Sequence, residues 1–178
     1  MDKKSARKTG LSRRKNLSEE DRKKENSVLF QKMAETAKNF TVIGVYVSVK
    51  DEADTICFIR WCFAQGKTVC VPRMSGHTLT FHCITDLSDL HTAAFGILEP
   101  DDQNRIEPDH IEIMFVPLSA FDNEGNRTGY GKGFYDSILQ TSARKYGIAY
   151  SCQRVDHIEA DPWDVKLDAV LIGDAVKE

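Results

Sequence analysis

At 178 residues with 41% hydrophobic content, the chain is long enough for one globular domain with a full core and leaves little room for a second. Its longest apolar run, residues 42–47, is far too short to span a bilayer, and the Met1-Asp2-Lys3-Lys4 start lacks the apolar segment of a secretory signal, so a soluble intracellular protein is expected. The net charge of −3 hides an asymmetry, because residues 1–24 carry ten Lys/Arg against four Asp/Glu, leaving +6 there and −9 on the remainder.

A basic arm on an acidic body is compatible with RNA, with a membrane surface or with a solvated helix face. Ser18, followed by Asp21, reads as a capped helix start, and Val28, Leu29, Met33 and Ala37 give that helix an apolar side to about Thr36. Residues 41–47 are nearly all β-branched or apolar, which predicts a strand buried on both faces. Ser48, Asp51 and Glu52 follow its carboxyl end, where open α/β sheets place ligands. Ile56, Ile59 and Phe63 predict a helix over 54–65 that stops at Gly66, and a second strand runs over 67–72, with Arg73 at its end. Residues 78–84 alternate polar and apolar, as a half-exposed antiparallel strand does, and His77 and His82 are expected at the surface. Residues 85–110 are expected to be an irregular surface excursion. The apolar run 112–118 is the next strand, and after a glycine-rich loop come a helix over 134–143 and strands near 146–151 and 168–172. The five cysteines lie in apolar runs without a CxxC pair, which points to reduced core residues. Helices alternating with buried strands predict a single-domain α/β three-layer sandwich over residues 1–178, with a mainly parallel central sheet flanked by helices.

The chemistry concentrates in residues 116–136, VPLSAFDNEGNRTGYGKGFYD. A strand, then Gly129, Gly131 and Gly133 at alternate positions, then a helix start form an anion site, because glycines let backbone N–H groups converge and the helix end adds positive charge. The spacing fits neither a Rossmann fingerprint nor a P-loop. Arg127, Lys132 and Asp136 supply the parts that phosphoryl transfer requires, donors for phosphate oxygens and an acid for a metal.

The run from Phe121-Asp122 through Asn126-Arg127-Thr128-Gly129-Tyr130-Gly131-Lys132-Gly133-Phe134-Tyr135-Asp136 resembles the signature of the 5-formyltetrahydrofolate cyclo-ligase family, and the likeness extends over nearly the whole chain. Lys3-Lys4-Ser5-Ala6-Arg7 looks like the family's basic segment, residues 17–20 its helix-opening turn, 46–48 with Asp51-Glu52 its first strand end, 71–73 the next, and 164–171 its second acidic motif. The resemblance implies ATP-dependent closure of 5-formyltetrahydrofolate to 5,10-methenyltetrahydrofolate, with ATP and magnesium. It implies that Lys3, Lys4, Ser5, Ala6, Arg7 and the loop from Arg127 through Tyr135 bind ATP, with Arg127 and Lys132 on the transferring phosphate. It further implies that Arg7, Val47, Glu52, Tyr130, Gly131, Lys132, Gly133 and Phe134 contact the folate, and that Asp136 and Asp168 hold magnesium. A cytoplasmic monomer acting on small molecules, without nucleic acid or membrane, is the accompanying expectation. Ala6 and Thr128 stand where the family usually has leucine, and Phe134 where it usually has tyrosine. A ligand-binding regulator without turnover and an RNA-binding arm are the alternative readings.

Overall fold

The computed structural model describes residues 1–131, 133–141 and 143–174. Two helices open the chain, α1 (Lys3–Lys15) and α2 (Glu19–Ala37), followed by β1 (Val42–Val45), α3 (Ile56–Ala64), β2 (Thr68–Ser75) and β3 (Thr78–Ile84). Three short strands come next, β4 (Leu90–Thr92), β5 (Leu98–Pro100) and β6 (Arg105–Ile106). The chain then runs through β7 (Ile113–Pro117), β8 (Ala120–Phe121), β9 (Arg127–Thr128), α4 (Phe134–Ile138), β10 (Arg144–Ala149) and β11 (Ala169–Ile172). Among the described residues, seven strands form one sheet in the order β11-β10-β7-β1-β2-β3-β6. The first five are mutually parallel, and β3 and β6 add antiparallel to the far edge.

Successive residues of the central strand β7 serve opposite layers, as a strand's two-residue period requires. Ile113 and Phe115 pack with Leu29, Met33 and Ala37 of α2 and Phe58, Ile59 and Cys62 of α3. Met114 and Val116 face the other side, against Leu118, Phe121, Ile138, Leu139 and Leu167. That makes three layers, with a thin layer of loops and α4 opposite α2 and α3. Ser18 caps α2 by accepting the Asp21 N–H at 3.1 Å. Gly66, at φ +70°, ends the turn after α3 in the left-handed region that glycine enters without strain.

Four expectations need correction. The helix after the glycine loop is only five residues long; Leu139 and Ala143 are buried at helical spacing, but in turns that return the chain to β10. Residues 85–110 are not irregular throughout, since β4 and β5 form a hairpin and β6 extends the main sheet. His82 is not at the surface; it is fully buried, its ring nitrogens bonded to the Thr80 hydroxyl at 2.8 Å and the Gln103 carbonyl at 2.7 Å. All five cysteines are free thiols, with Cys57 exposed rather than in the core.

Candidate active site

Strands β2 and β7 lie on opposite sides of β1, so the crossovers diverge there, and the carboxyl ends of β1 and β7 open into a crevice. A cleft of about 530 Å³ occupies it, lined by Tyr46, Val47 and Glu52 beyond β1, by Pro117 at the end of β7, and by the glycine loop.

Helix α1 forms one wall, and its periodicity decides which basic residues take part. Lys3, Arg7 and Arg14 share a face and line the cleft. Lys4 and Ser5 are exposed on other faces, and Ala6 is buried against Ala120, Val155 and Ile158. Of the five residues Lys3 to Arg7, side chains from two therefore reach the site. The helix lies close because it carries Gly10 at the contact, where a Cβ would stand 1.9 Å from the Ser119 carbonyl oxygen.

The loop is built from its own backbone outward. Ser119 Oγ donates to the Gly129 carbonyl at 2.8 Å, and Arg7 Nε donates to the same oxygen at 2.8 Å. Thr128 is buried with its hydroxyl 2.7 Å from Ser119 Oγ. Gly131 and Gly133 adopt φ +90° and +68°, and a Cβ on Gly131 would also crowd the Arg7 guanidinium at 3.2 Å. Phe134, Tyr135 and Asp136 line the cleft beyond the loop. Lys132 lies outside the described residues.

Arg127 lines the cleft where the loop begins. Its side chain is 6% exposed; one terminal nitrogen bonds Asp136 Oδ1 at 3.1 Å, while its buried Nε has no partner among the described residues. Burial lowers its pKa, opposed by Asp136, Tyr135 and Asp164. A guanidinium with an unsatisfied donor on a cleft wall suits an anionic ligand.

Two acids share this wall, and they are not the pair expected. Asp136 lines the cleft with half its side chain exposed. Asp168 does not reach it: the residue sits just before β11, accepts the Lys145 N–H at 2.7 Å, and borders a separate, smaller concavity with Asp122 and Glu124. Asp164, four residues earlier, takes the place on the cleft, where it pairs with Lys3 and accepts the Asp161 N–H at 2.7 Å. Burial works to raise its pKa, but the Lys3 and Asp161 bonds and the nearby Arg127 hold it below the ordinary value. Oxygen donors from Asp136 and Asp164, flanking a phosphate-type site, fit a hard divalent cation such as magnesium.

Glu52, in the segment after β1, lines the same cleft. Its carboxylate accepts the Val49 N–H at 3.0 Å and the Tyr130 hydroxyl at 2.8 Å. Burial pushes its pKa up, and those two bonds together with Arg14 pull it back. Val47 is buried beside it. The structure thus gathers Lys3, Arg7, Val47, Glu52, Arg127 to Gly131, Gly133 to Asp136 and the unanticipated Arg14 and Asp164 around one cleft.

Fold and site together define an α/β protein with a cleft at the sheet's switch point, cationic toward the glycine loop and carrying a carboxylate toward β1. Residues 1–173 match the 5-formyltetrahydrofolate cyclo-ligase family, and the chain belongs to it. A Haemophilus influenzae 5-formyltetrahydrofolate cyclo-ligase is 37% identical over 148 residues, 77% of this chain and 76% of the relative. A Mus musculus 5-formyltetrahydrofolate cyclo-ligase is 28% identical over 177 residues, 89% of this chain and 87% of its own. The solved structure of Aquifex aeolicus 5,10-methenyltetrahydrofolate synthetase superposes with a TM-score of 0.86 at 30% identity, covering 98% of this chain and 91% of that one.

Proposed function

We propose that this cleft performs the reaction of its family, ATP-dependent conversion of 5-formyltetrahydrofolate to 5,10-methenyltetrahydrofolate with release of ADP and phosphate. The single observation that carries the reading is Arg127, a buried guanidinium at the start of a glycine loop whose Nε has no partner among the described residues, within a chain of this family. The formyl oxygen is a poor leaving group. Phosphorylation by the ATP γ-phosphate makes it a good one, and the neighbouring amine nitrogen of the folate then attacks the formyl carbon and expels phosphate. Such a reaction needs positioning and charge neutralisation rather than a protein nucleophile.

Arg127, Lys132 and the amides of Gly129, Gly131 and Gly133 are assigned to the transferring phosphate. Lys3 and Arg7 take the remaining nucleotide charge from α1. Glu52 accepts from the amino-pyrimidine edge of the pterin, with Val47, Tyr130 and Phe134 against its rings. Asp136 and Asp164 are assigned to magnesium, which when bound neutralises phosphate charge. Residues 1–178 are read as one domain, acting on small molecules as a monomer. Since Lys3, Arg7 and Arg14 turn toward the cleft, the basic arm is read as serving ATP and folate rather than RNA. The free thiols suit a reducing, cytoplasmic setting, and no helix among the described residues is long and apolar enough to cross a membrane.

The test is the near-ultraviolet absorbance of purified protein with 5-formyltetrahydrofolate and magnesium-ATP. A methenyl-folate band arising only in the complete mixture supports the reading. Folded protein that binds either ligand without forming the band would instead favour the regulator.

A further inference from the structure

Arg14 belongs to none of the motifs above, yet it is among the most constrained cations of the molecule. It sits near the end of α1 with its side chain 6% exposed. One terminal nitrogen donates to Asp51 Oδ1 at 3.0 Å, the other to the Tyr130 hydroxyl oxygen at 3.1 Å, and the guanidinium lies 5.8 Å from the Tyr130 ring centroid. Its buried Nε has no partner among the described residues. Arg22 clamps the same corner, donating to the carbonyls of Arg14 at 2.8 Å and Asp51 at 2.7 Å.

The direction of the bonds matters. Arg14 donates to the Tyr130 oxygen, and the Tyr130 hydroxyl proton is committed to Glu52 Oε2 at 2.8 Å. A cation, a phenol and a carboxylate bonded in series polarise one another in one sense, each bond strengthening the next. Because the segments holding Arg14, Asp51 with Glu52, and Tyr130 are far apart in sequence, only the folded cleft assembles this chain of bonds.

The geometry points to Arg14 as a positioning residue for folate: through Tyr130 it fixes the orientation and negative charge of Glu52, without itself touching the reacting atoms. This rests on the reading of Glu52 as the folate acceptor. The planar fork is what the site uses, since it reaches Asp51 and Tyr130 at once, whereas a lysine at this position would serve one of them at a time. Asp51 matters as well, because it balances the guanidinium while adding negative charge beside Glu52. Among the described residues, the buried phenols of Tyr46 and Tyr135 also feel the Glu52 charge, and burial pushes their pKa values up, while the Tyr150 hydroxyl donates to the Glu52 carbonyl at 3.4 Å.

The experiment compares wild type, Arg14→Met, Arg14→Lys, Tyr130→Phe, Glu52→Gln and the Arg14→Met/Glu52→Gln double variant, with KM for each substrate and kcat measured separately. Arg14→Met is expected to raise KM for 5-formyltetrahydrofolate about tenfold, to change KM for ATP less than about twofold, and to be partly rescued by lysine. In the double variant the loss should not exceed that of Glu52→Gln alone, because both changes break the same link. Tyr130→Phe removes the relaying hydroxyl while leaving the Arg14–Asp51 pair, so it should give the same selective rise even if Arg14→Met fails to fold. Equal effects on both substrates, or losses that add, would overturn the proposal. Should wild type form no methenyl product, the functional reading falls, and the same variants are compared by the dissociation constant for 5-formyltetrahydrofolate; no selective weakening there overturns this proposal too.

Discussion

A guanidinium buried against one carboxylate with its Nε left over is costly to a folded chain, and among the described residues Arg127 is in that position beside the cleft. Its removal is expected to lower kcat by about 10²-fold or more, the loss typical of one transition-state donor, with the fold retained by circular dichroism. Asp136→Ala should lower turnover by about 10²-fold as well, since it removes both Arg127's anchor and one of the two carboxylates proposed for magnesium. Near-normal turnover in both variants would remove the phosphate site from this wall. These residues were legible in the sequence because they lie within one contiguous loop whose glycines and charges signal together. Asp164 was not. It and Asp168 are four apart in a connection without helical or strand period, so nothing local says which carboxylate turns inward; that is set by Lys3, from the far end of the chain. Arg14 carries no local signal for the same reason, since both its side-chain partners are remote in sequence.

At the level of elements, the placement of α1 is the most exposed to test. Glycine to alanine within a helix ordinarily stabilises by about 1 kcal/mol. At Gly10 the sign should reverse, because the added carbon would strike the Ser119 carbonyl and push α1 off β8. Gly10→Ala is expected to destabilise by about 2 kcal/mol in chemical denaturation, as overpacking does, and to raise KM for ATP as Lys3 and Arg7 withdraw. The turn between β8 and β9 has its own device in Asp122, a buried carboxylate that accepts N–H bonds from Glu124 at 2.9 Å, Asn126 at 3.0 Å and Ile158 at 2.8 Å. Burial alone would raise its pKa, yet the Asn126, Ile158 and Glu124 bonds together hold it below the ordinary value. A depressed folded pKa means that this contribution is complete above the unfolded value of about 3.9 and is lost as pH falls through the folded one. The stability gap between wild type and Asp122→Asn should therefore be widest near neutrality and narrow below about pH 4 in thermal unfolding scans. Element types were read well from pattern where burial is two-sided, as in β1 and β7. The helix after the loop was overread because Leu139 and Ala143 are apolar at helical spacing for the sake of the core, not of a helix.

Across the whole molecule, the parallel strands set the sheet's switch point, and the switch point sets the cleft between the glycine loop and the segment after β1. The class of fold followed from alternation of buried strands and helices; the antiparallel extension through β6 did not, because a two-residue edge strand in a polar stretch carries no periodic signal. In the proposed reaction this cleft transfers a phosphoryl group to the formyl oxygen. Substrate labelled with ¹⁸O in the formyl group tests it most directly, with the released inorganic phosphate analysed by mass spectrometry after turnover with magnesium-ATP. The label is expected in phosphate, one atom for each methenyl product formed. Unlabelled phosphate accompanying full conversion would contradict it.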